Sequence, residues 1–524
     1  MISGILFKNH YPAKVYRLNT SFLLIWYLSG LLGCATDNTE HTIERPNVLF
    51  ISIDDLNDWV GPLAGNEQAL TPMLDKFASQ STNFRQNYCT SPGCNPSRST
   101  LMTGLHTYTS GMYSNYQDWR KVPKMAAVPT LAEYFRSNGY FTAGAGKIFH
   151  YSQVSPESWD EYFPSQKNNM PQNYIPEGAP VNMPEFKYMY KAFDWDPIPI
   201  SDEETGDYKS VKYISDQLAK DHEKPFFLAT GIYRPHLPWY VPQEYFDKFP
   251  IEDIQLPEIV EGDTTDLGIR AKELISRGGN YHKHVVEADQ WKQAIQGYLA
   301  SIAFADAMVG ELLKNLAASK YADNTIVVIW SDHGWQLGEK MHWRKFALWE
   351  NVIRTLLMIK VPEGVKGFPD GSINENTYNL TSLLDIYPTL VELCDLPRRD
   401  DLDGISLVPI LTNPQKEIDR AVITTYDFGD YSIRSGKWHY IRYVDDSEEL
   451  YNLEDDPNEW TNLSGHSDFA SIKEALRHNI PLDPVPLPEE SLLKLEPHHI
   501  PPVRSKEFYF SDERKEWIKR FESN

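Results

Sequence analysis

Short, continuously apolar runs recur along the chain, and each stops on polar residues. Asn47–Ile53 (NVLFISI) runs into Asp54-Asp55, and Tyr140–Ala145 into Gly146-Lys147-Ile148-Phe149-His150. Pro225–Thr230 (PFFLAT) leads to GIYRPHLPWYVP, and Thr325–Trp330 (TIVVIW) to Ser331-Asp332-His333-Gly334. Runs apolar on both faces predict strands buried inside a parallel sheet, and Arg354–Val361 predicts another strand. Helices are predicted over Thr130 to Asn138, closed by Gly139, and over Lys212–His222. The strongest helical period lies in Tyr298–Ala318, where Leu299, Ile302, Val309, Leu313 and Leu316 share one stripe. The expected class is α/β, with polar side chains delivered at strand ends, where open α/β sheets place their ligands.

Residues from about Ser152 to Asp207 are rich in Pro, Asp and aromatics without a period, and predict a long insertion over the site face. The texture changes near Glu417. RAVITTY, YSIRSG and KWHYIRY are short β-rich runs separated by turn residues, which predicts an antiparallel meander. Pro481–Pro502 is expected to be extended, and KEFYFSDERKEWIKRFE to form an amphipathic helix.

Composition narrows the function. With 524 residues, 41% of them apolar, the chain can build a large core. A formal charge of −23 argues against nucleic acid as a partner, yet leaves room for a locally basic pocket that takes a small anion. The four cysteines, Cys34, Cys89, Cys94 and Cys394, match no zinc spacing and are too sparse for a disulfide scaffold. Cys89 and Cys394 are expected to be buried free thiols.

At the N-terminus, Lys8, Lys14 and Arg17 precede the apolar run Ser21–Gly33, which is short for a membrane span and fits a signal-peptide core. Leu31-Leu32-Gly33-Cys34 resembles a bacterial lipobox, with Cys34 as the acylated first residue of the mature chain. The layout is then residues 1–33 as signal peptide, 34–45 as lipidated N-terminus and tether, 46–415 as catalytic domain and 416–524 as C-terminal subdomain. The expected location is the bacterial cell envelope, lipid-anchored in the periplasm or at the outer-membrane surface, with plain secretion as the alternative.

The chemistry centres on Cys94-Asn95-Pro96-Ser97-Arg98, followed by Thr103-Gly104. Pro96 sets its own φ and restricts Asn95, and Gly104 reads as the cap of a short helix. A nucleophile at a helix N-terminus with Arg98 nearby suits an anionic substrate. This stretch resembles the signature of the formylglycine-dependent (type I) sulfatases, and GLHTYTSGMYSNYQDWR after it is similar to the iduronate-2-sulfatase subgroup. Ser382–Leu393 resembles a helix usual in that family, and ELYNLEDDPNEWTNL the usual close of its C-terminal sheet.

The resemblance implies an alkaline-phosphatase-like sulfatase fold, with a large mixed, mostly parallel central sheet flanked by helices and a small C-terminal antiparallel sheet. It implies that a maturation enzyme, either formylglycine-generating or anaerobic, oxidises Cys94 to formylglycine, whose hydrated aldehyde attacks sulfur. Asp54, Asp55, Asp332, His333 and an oxygen of residue 94 would hold a divalent cation, Ca2+ before Mg2+. Arg98 would polarise the diol, and Lys147 and Lys345 would offset sulfate charge, with Arg344 the competitor for the second lysine's place. His150 would act as base and His236 would assist the leaving group. The substrate implied is a sulfated carbohydrate, such as a 2-O-sulfated uronic acid or an algal glycan like ulvan or carrageenan. Trp119, Arg234, Trp239, Tyr240 and His342 are candidate sugar contacts. A phosphatase or phosphodiesterase of the same superfold is one alternative, though it usually carries Ser or Thr with more His ligands. A non-catalytic glycan-binding surface lipoprotein is the other.

Overall fold

The computed structural model describes residues 45–151, 154–183, 192–276, 280–494 and 501–522. The Ser21–Gly33 run and Cys34 lie outside the described residues. The principal strands are β1 (Asn47–Ile53), β2 (Thr82–Phe84), β3 (Phe141–Gly146), β4 (Glu161–Phe163), β5 (Phe226–Ile232), β6 (Thr325–Ser331), β7 (Leu357–Lys360) and β8 (Asn376–Thr377). They form one sheet in the order β8-β2-β7-β6-β1-β5-β3-β4. Pairing is parallel from β6 to β4, whereas β7 runs antiparallel to both β6 and β2. All seven residues of β1, β5 and β6 are buried, as their unbroken apolar runs require when helices cover both faces.

The principal helices are α1 (Cys94–Thr103), α2 (Leu131–Ser137), α3 (Gly206–Leu218), α4 (Trp291–Ala318), α5 (Ile386–Leu393) and α6 (Ala470–Arg477). Thr130 caps α2 through a capping box with Glu133. α4 starts seven residues before the stripe that predicts it, because Trp291–Gly297 is held by tertiary contacts: the Trp291 indole donates to the Leu337 carbonyl at 2.8 Å and Gly297 packs against Trp195. α3 starts at Gly206 and stops at Leu218, where Lys212–His222 is expected; the Thr205 hydroxyl accepts from the Tyr208 amide and fixes that start. The stretch Ser382–Leu393 begins as a strand, Thr381–Ser382 paired with Asn87–Tyr88, and passes through a 3-10 turn at Leu383–Asp385 into the α-helix from Ile386.

The expected insertion is in part structural. β4 extends the central sheet, and Trp195–Ile198 pairs in parallel with Trp239–Pro242. The meander is present as β9 (Ala421–Tyr426), β10 (Asp430–Ser435), β11 (Trp438–Arg442) and β12 (Glu448–Asn452), antiparallel in that order. The C-terminal segment folds as two helices, Lys506–Phe510 and Asp512–Glu522, parted at Ser511. Cys89 and Cys394 are buried free thiols. Among the described residues no helix is long and apolar enough to cross a membrane.

Candidate active site

Four adjacent strands, β6, β1, β5 and β3, end level with one another. Their registers pair Ile53 with both Ser331 and Ile232, and Gly146 with Gly231. The next residues therefore converge on one hollow: Asp54 and Asp55 after β1, Asp332 and His333 after β6, Lys147 and His150 after β3, and His236 beyond β5. Close backbone approach fixes Lys147. A Cβ on Gly231 would lie 2.1 Å from the Lys147 carbonyl, and Gly146 takes φ +69°. α1 brings in Cys94 as its first residue and stops at Gly104, which takes φ +74° as a left-handed cap.

Cys94, Asp54, Asp55, Lys147, Asp332, His333 and Arg98 are wholly buried, and Lys345 and His236 nearly so. Lys345 Nζ lies 2.8 Å from Cys94 Sγ and 2.6 Å from Asp55 Oδ1, and Lys147 Nζ is 3.7 Å from Sγ and bound to Asp54. Arg344 turns away to the Tyr281 hydroxyl at 2.8 Å, so Lys345 is the cation that enters the site. Arg98 donates to Asp332 at 2.8 Å, to Asp54 at 3.1 Å, to Ser52 and to the Lys147 and Ile148 carbonyls. Its guanidinium is thus engaged with carboxylates and backbone, with the Trp330 ring beneath it at 5.5 Å.

The imidazoles have defined orientations. His333 Nδ1 is 3.0 Å from the Gly334 carbonyl, and His236 Nδ1 is 2.6 Å from that of Leu237. A carbonyl only accepts, so each Nδ1 carries the hydrogen and each Nε2 turns its lone pair inward. His333 Nε2 lies 3.4 Å from both Cys94 Sγ and Asp55 Oδ1 and 3.6 Å from Asp332 Oδ2; His236 Nε2 lies 3.8 Å from Asp55 Oδ2. His150 sits edge-on to the Tyr151 ring, and among the described residues its buried Nδ1 has no hydrogen-bond partner.

Burial depresses His150 and His236 well below 6.5, helped by Lys147 and Lys345, and both are neutral near pH 7. Burial would raise Asp54, but Lys147 and Arg98 outweigh it and hold the group below the usual carboxylate range. Asp332 is held far lower, as the Arg98 guanidinium overcomes its burial. For Asp55 burial wins over Lys345, and its pKa rises. Burial pushes the Cys94 thiol up to about 12 despite both lysines, so the unmodified thiol stays protonated.

Two ligand sets share this hollow, Asp54-Asp55-Cys94-His236 and Asp55-Cys94-Asp332-His333, each with one ligand atom per residue within 4.8 Å of the others. Among the described residues, the buried Asp55 Oδ2 finds no hydrogen-bond partner. Three carboxylates, an orphaned oxygen and an inward imidazole lone pair fit a divalent cation, whose charge would offset the repulsion between adjacent acids.

Several contacts escape sequence reasoning. Ser97 donates to the Asp332 carbonyl at 2.6 Å, and the Tyr151 and Tyr233 rings each lie 5.1 Å from Lys147 Nζ. Asp207 accepts from the amides of Tyr233 and Arg234 and orients the His236 loop. No residue pattern announces these; Ser97 alone sits inside a recognisable motif. The five candidate sugar contacts pack into protein instead. Trp119 stacks on Phe149, Trp239 on Trp195, and Arg234 donates to the His236 and Tyr240 carbonyls. The Tyr240 hydroxyl donates to Asp194, and His342 is buried against Trp349.

The fold is alkaline-phosphatase-like, a mixed, mostly parallel sheet flanked by helices with a small antiparallel sheet beside it. A family model described as Sulfatase matches residues 46–396, and one described as N-sulphoglucosamine sulphohydrolase, C-terminal, matches residues 338–482. The chain belongs to the sulfatase family and is a sulfuric ester hydrolase. A sulfatase of Formosa agariphila is 34% identical over 486 residues, covering 90% of this chain and 94% of the relative. Iduronate 2-sulfatase of Mus musculus is 26% identical, covering 89% and 99%, and an ulvan-active sulfatase of Formosa agariphila is 27% identical, covering 82% and 80%. Among solved structures, the phosphonate monoester hydrolase of Agrobacterium radiobacter superposes with a TM-score of 0.66 at 21% identity, covering 83% of this chain and 95% of that one.

Proposed function

We propose that the enzyme removes O-sulfate from a sulfated carbohydrate, using formylglycine made from Cys94 as its nucleophile. The observation that carries this is the state of residue 94. Its thiol is wholly buried, held protonated, and ringed by Lys345, Lys147 and His333. A protonated thiol is a poor nucleophile; a hydrated aldehyde at the same place has two hydroxyls, one to attack and one to release the product. The first hydroxyl displaces the sugar alcohol from sulfur. In this first step the inward Nε2 lone pair of His236 would take the proton of the attacking hydroxyl and return it to the sugar oxygen as the bond from that oxygen to sulfur breaks. His150 then takes the proton of the second hydroxyl, the C–O bond to sulfate breaks, the aldehyde returns, and water hydrates it again.

Lys147 and Lys345 balance the sulfate charge, and the N-terminus of α1 adds its dipole on the same side. Arg98 acts by fixing Asp54 and Asp332, which its geometry supports better than contact with the diol. His236 serves the departing oxygen. Asp54, Asp55, Asp332 and His333 would hold a divalent cation, calcium by their mostly oxygen donor set, which supplies Lewis-acid charge when bound.

The iduronate 2-sulfatase and ulvan-active relatives favour a sulfated uronic acid or algal polysaccharide as substrate. The N-terminal run favours a lipid-anchored enzyme of the bacterial envelope. The mass of the residue-94 peptide from active protein tests the nucleophile directly. Formylglycine is expected, with activity tracking the converted fraction; full activity from protein that keeps the thiol overturns the reading. Screening defined sulfated oligosaccharides for sulfate release, beside the matching phosphate esters, tests the substrate class.

A further inference from the structure

The loop that delivers Lys345 is strained along its length. Lys340, Met341, Arg344 and Phe346 take φ of 50, 55, 81 and 74°, a region that bulky side chains seldom occupy, and Lys345 sits between the last two. Its middle is held by the pairing of Trp343–Arg344 with Gln336–Leu337 and by the Phe346 amide on the Pro92 carbonyl, which leaves its two ends to be fixed from elsewhere. Both ends, Lys340 and Glu350, meet one residue from the C-terminal part of the chain, and Lys340 also pairs with Asp263 at 2.8 Å. Lys340 Nζ donates to the Glu459 carbonyl at 2.5 Å, and the Glu350 amide donates to Glu459 Oε2 at 2.8 Å. Lys345 lies five positions from each anchor. Glu459 Oε1 accepts from His439 Nδ1 of β11, whose Nε2 meets the Ser432 hydroxyl of β10 at 2.7 Å. Arg434 of β10 takes the Glu350 carboxylate at 3.1 Å. Glu459 and His439 are buried and Glu459 itself has φ +60°. A Ser–His–Glu chain of this form resembles a hydrolytic triad, but Ser432 is wholly buried.

We propose that Glu459 is a positioning residue for Lys345. Through its carbonyl and its carboxylate it clamps the two ends of the strained loop, and the C-terminal sheet thereby sets where the Lys345 ammonium meets residue 94. This rests on the reading of Lys345 as a catalytic cation. It also gives the ELYNLEDDPNEWTNL segment, in which Glu459 lies, a function beyond closing the sheet.

The test is a double-mutant cycle on the full-length matured enzyme, with 4-nitrophenyl sulfate as probe. Glu459→Ala is expected to lower kcat/KM by about 100-fold, the scale of a catalytic group displaced by about 1 Å. In a Lys345→Ala background the same change is expected to cost less than about twofold, because the group it positions is already gone. Lys340→Met releases the other anchor and is expected to behave alike, which keeps the test open if Glu459→Ala does not fold. Glu459→Gln keeps an acceptor for the Glu350 amide and should recover part of the loss. If the Glu459 and Lys345 losses multiply, Glu459 is merely structural and the proposal falls alone. If Lys345→Ala keeps full activity, the reading of Lys345 falls and takes the proposal with it.

Discussion

Cys94 shows how one residue's surroundings decide its chemistry. Two lysines within 3.7 Å would ordinarily activate a thiol, yet complete burial and two nearby carboxylates win, and the pKa goes to about 12. Cys94→Ser changes little volume in a packed site, so its melting temperature should match the parent while turnover drops to background. Calorimetry beside sulfate release checks both. Asp55 is the other telling residue: among the described residues its buried Oδ2 finds no hydrogen bond, and a bound cation is the partner that chemistry supplies. After chelation, calcium at 100 times its Kd is expected to stabilise the protein by about 2.7 kcal/mol, read as a rise in Tm. Asp55→Ala should abolish that rise. A rise of equal size in the variant would place the ion elsewhere.

At the scale of elements, the C-terminal sheet holds its outer helix by charge. Burial would raise Glu448 of β12, but the Tyr440 hydroxyl, Arg477 and Lys473 pull it down to about 2. Two of these partners, Lys473 and Arg477, come from α6. A carboxylate depressed from 4.5 to about 2 adds stability above pH 4.5 and loses it as pH falls through 2. Glu448→Gln should therefore destabilise by about 1–2 kcal/mol at pH 7, allowing for its partial exposure, and by nothing measurable near pH 2. Urea titrations at the two pH values read this difference. The strands were legible because a run such as Thr325–Trp330 is apolar on both faces, and such a run has few other places to go. The strand-end chemistry was legible for the same reason: Asp54 and Asp332 follow directly on buried strands. Element starts were less so. α4 extends to Trp291 because tertiary contacts with Leu337 and Trp195 hold residues that the local stripe does not contain. The candidate sugar contacts misled because proximity in sequence to a catalytic residue says nothing of direction: Trp239 points into a tryptophan stack. Glu459 was hidden for a further reason, since it works on Lys340 and Glu350 from more than a hundred positions away.

At the scale of the molecule, the meander and the C-terminal helices are tied to the rest by buried ions. Arg270, in the helix Ile269–Ser276, is wholly buried and donates to Asp430 at 2.8 Å, to Asp427 at 2.9 Å and to Glu273 at 2.9 Å. Its guanidinium lies over the Tyr509 ring, and Arg514 reaches the same Glu273. One side chain from outside the C-terminal sheet thus balances two of the sheet's buried carboxylates and touches the last helices. Removing one partner of such a cluster costs far more than the cluster is worth, because the remaining charges keep their desolvation penalty. Arg270→Met is expected to lose about 3–5 kcal/mol, and Arg270→Met with Asp427→Asn and Asp430→Asn to recover part of it. Since Glu459 and Arg434 of the same C-terminal part hold the loop of Lys345, melting of that part should extinguish activity at once. Tryptophan fluorescence and sulfate release, followed through one urea titration of the Arg270 variant, should share a midpoint below the parent's. Activity that outlasts the fluorescence transition would mean that the hollow at the strand ends keeps its shape without the sheet behind it.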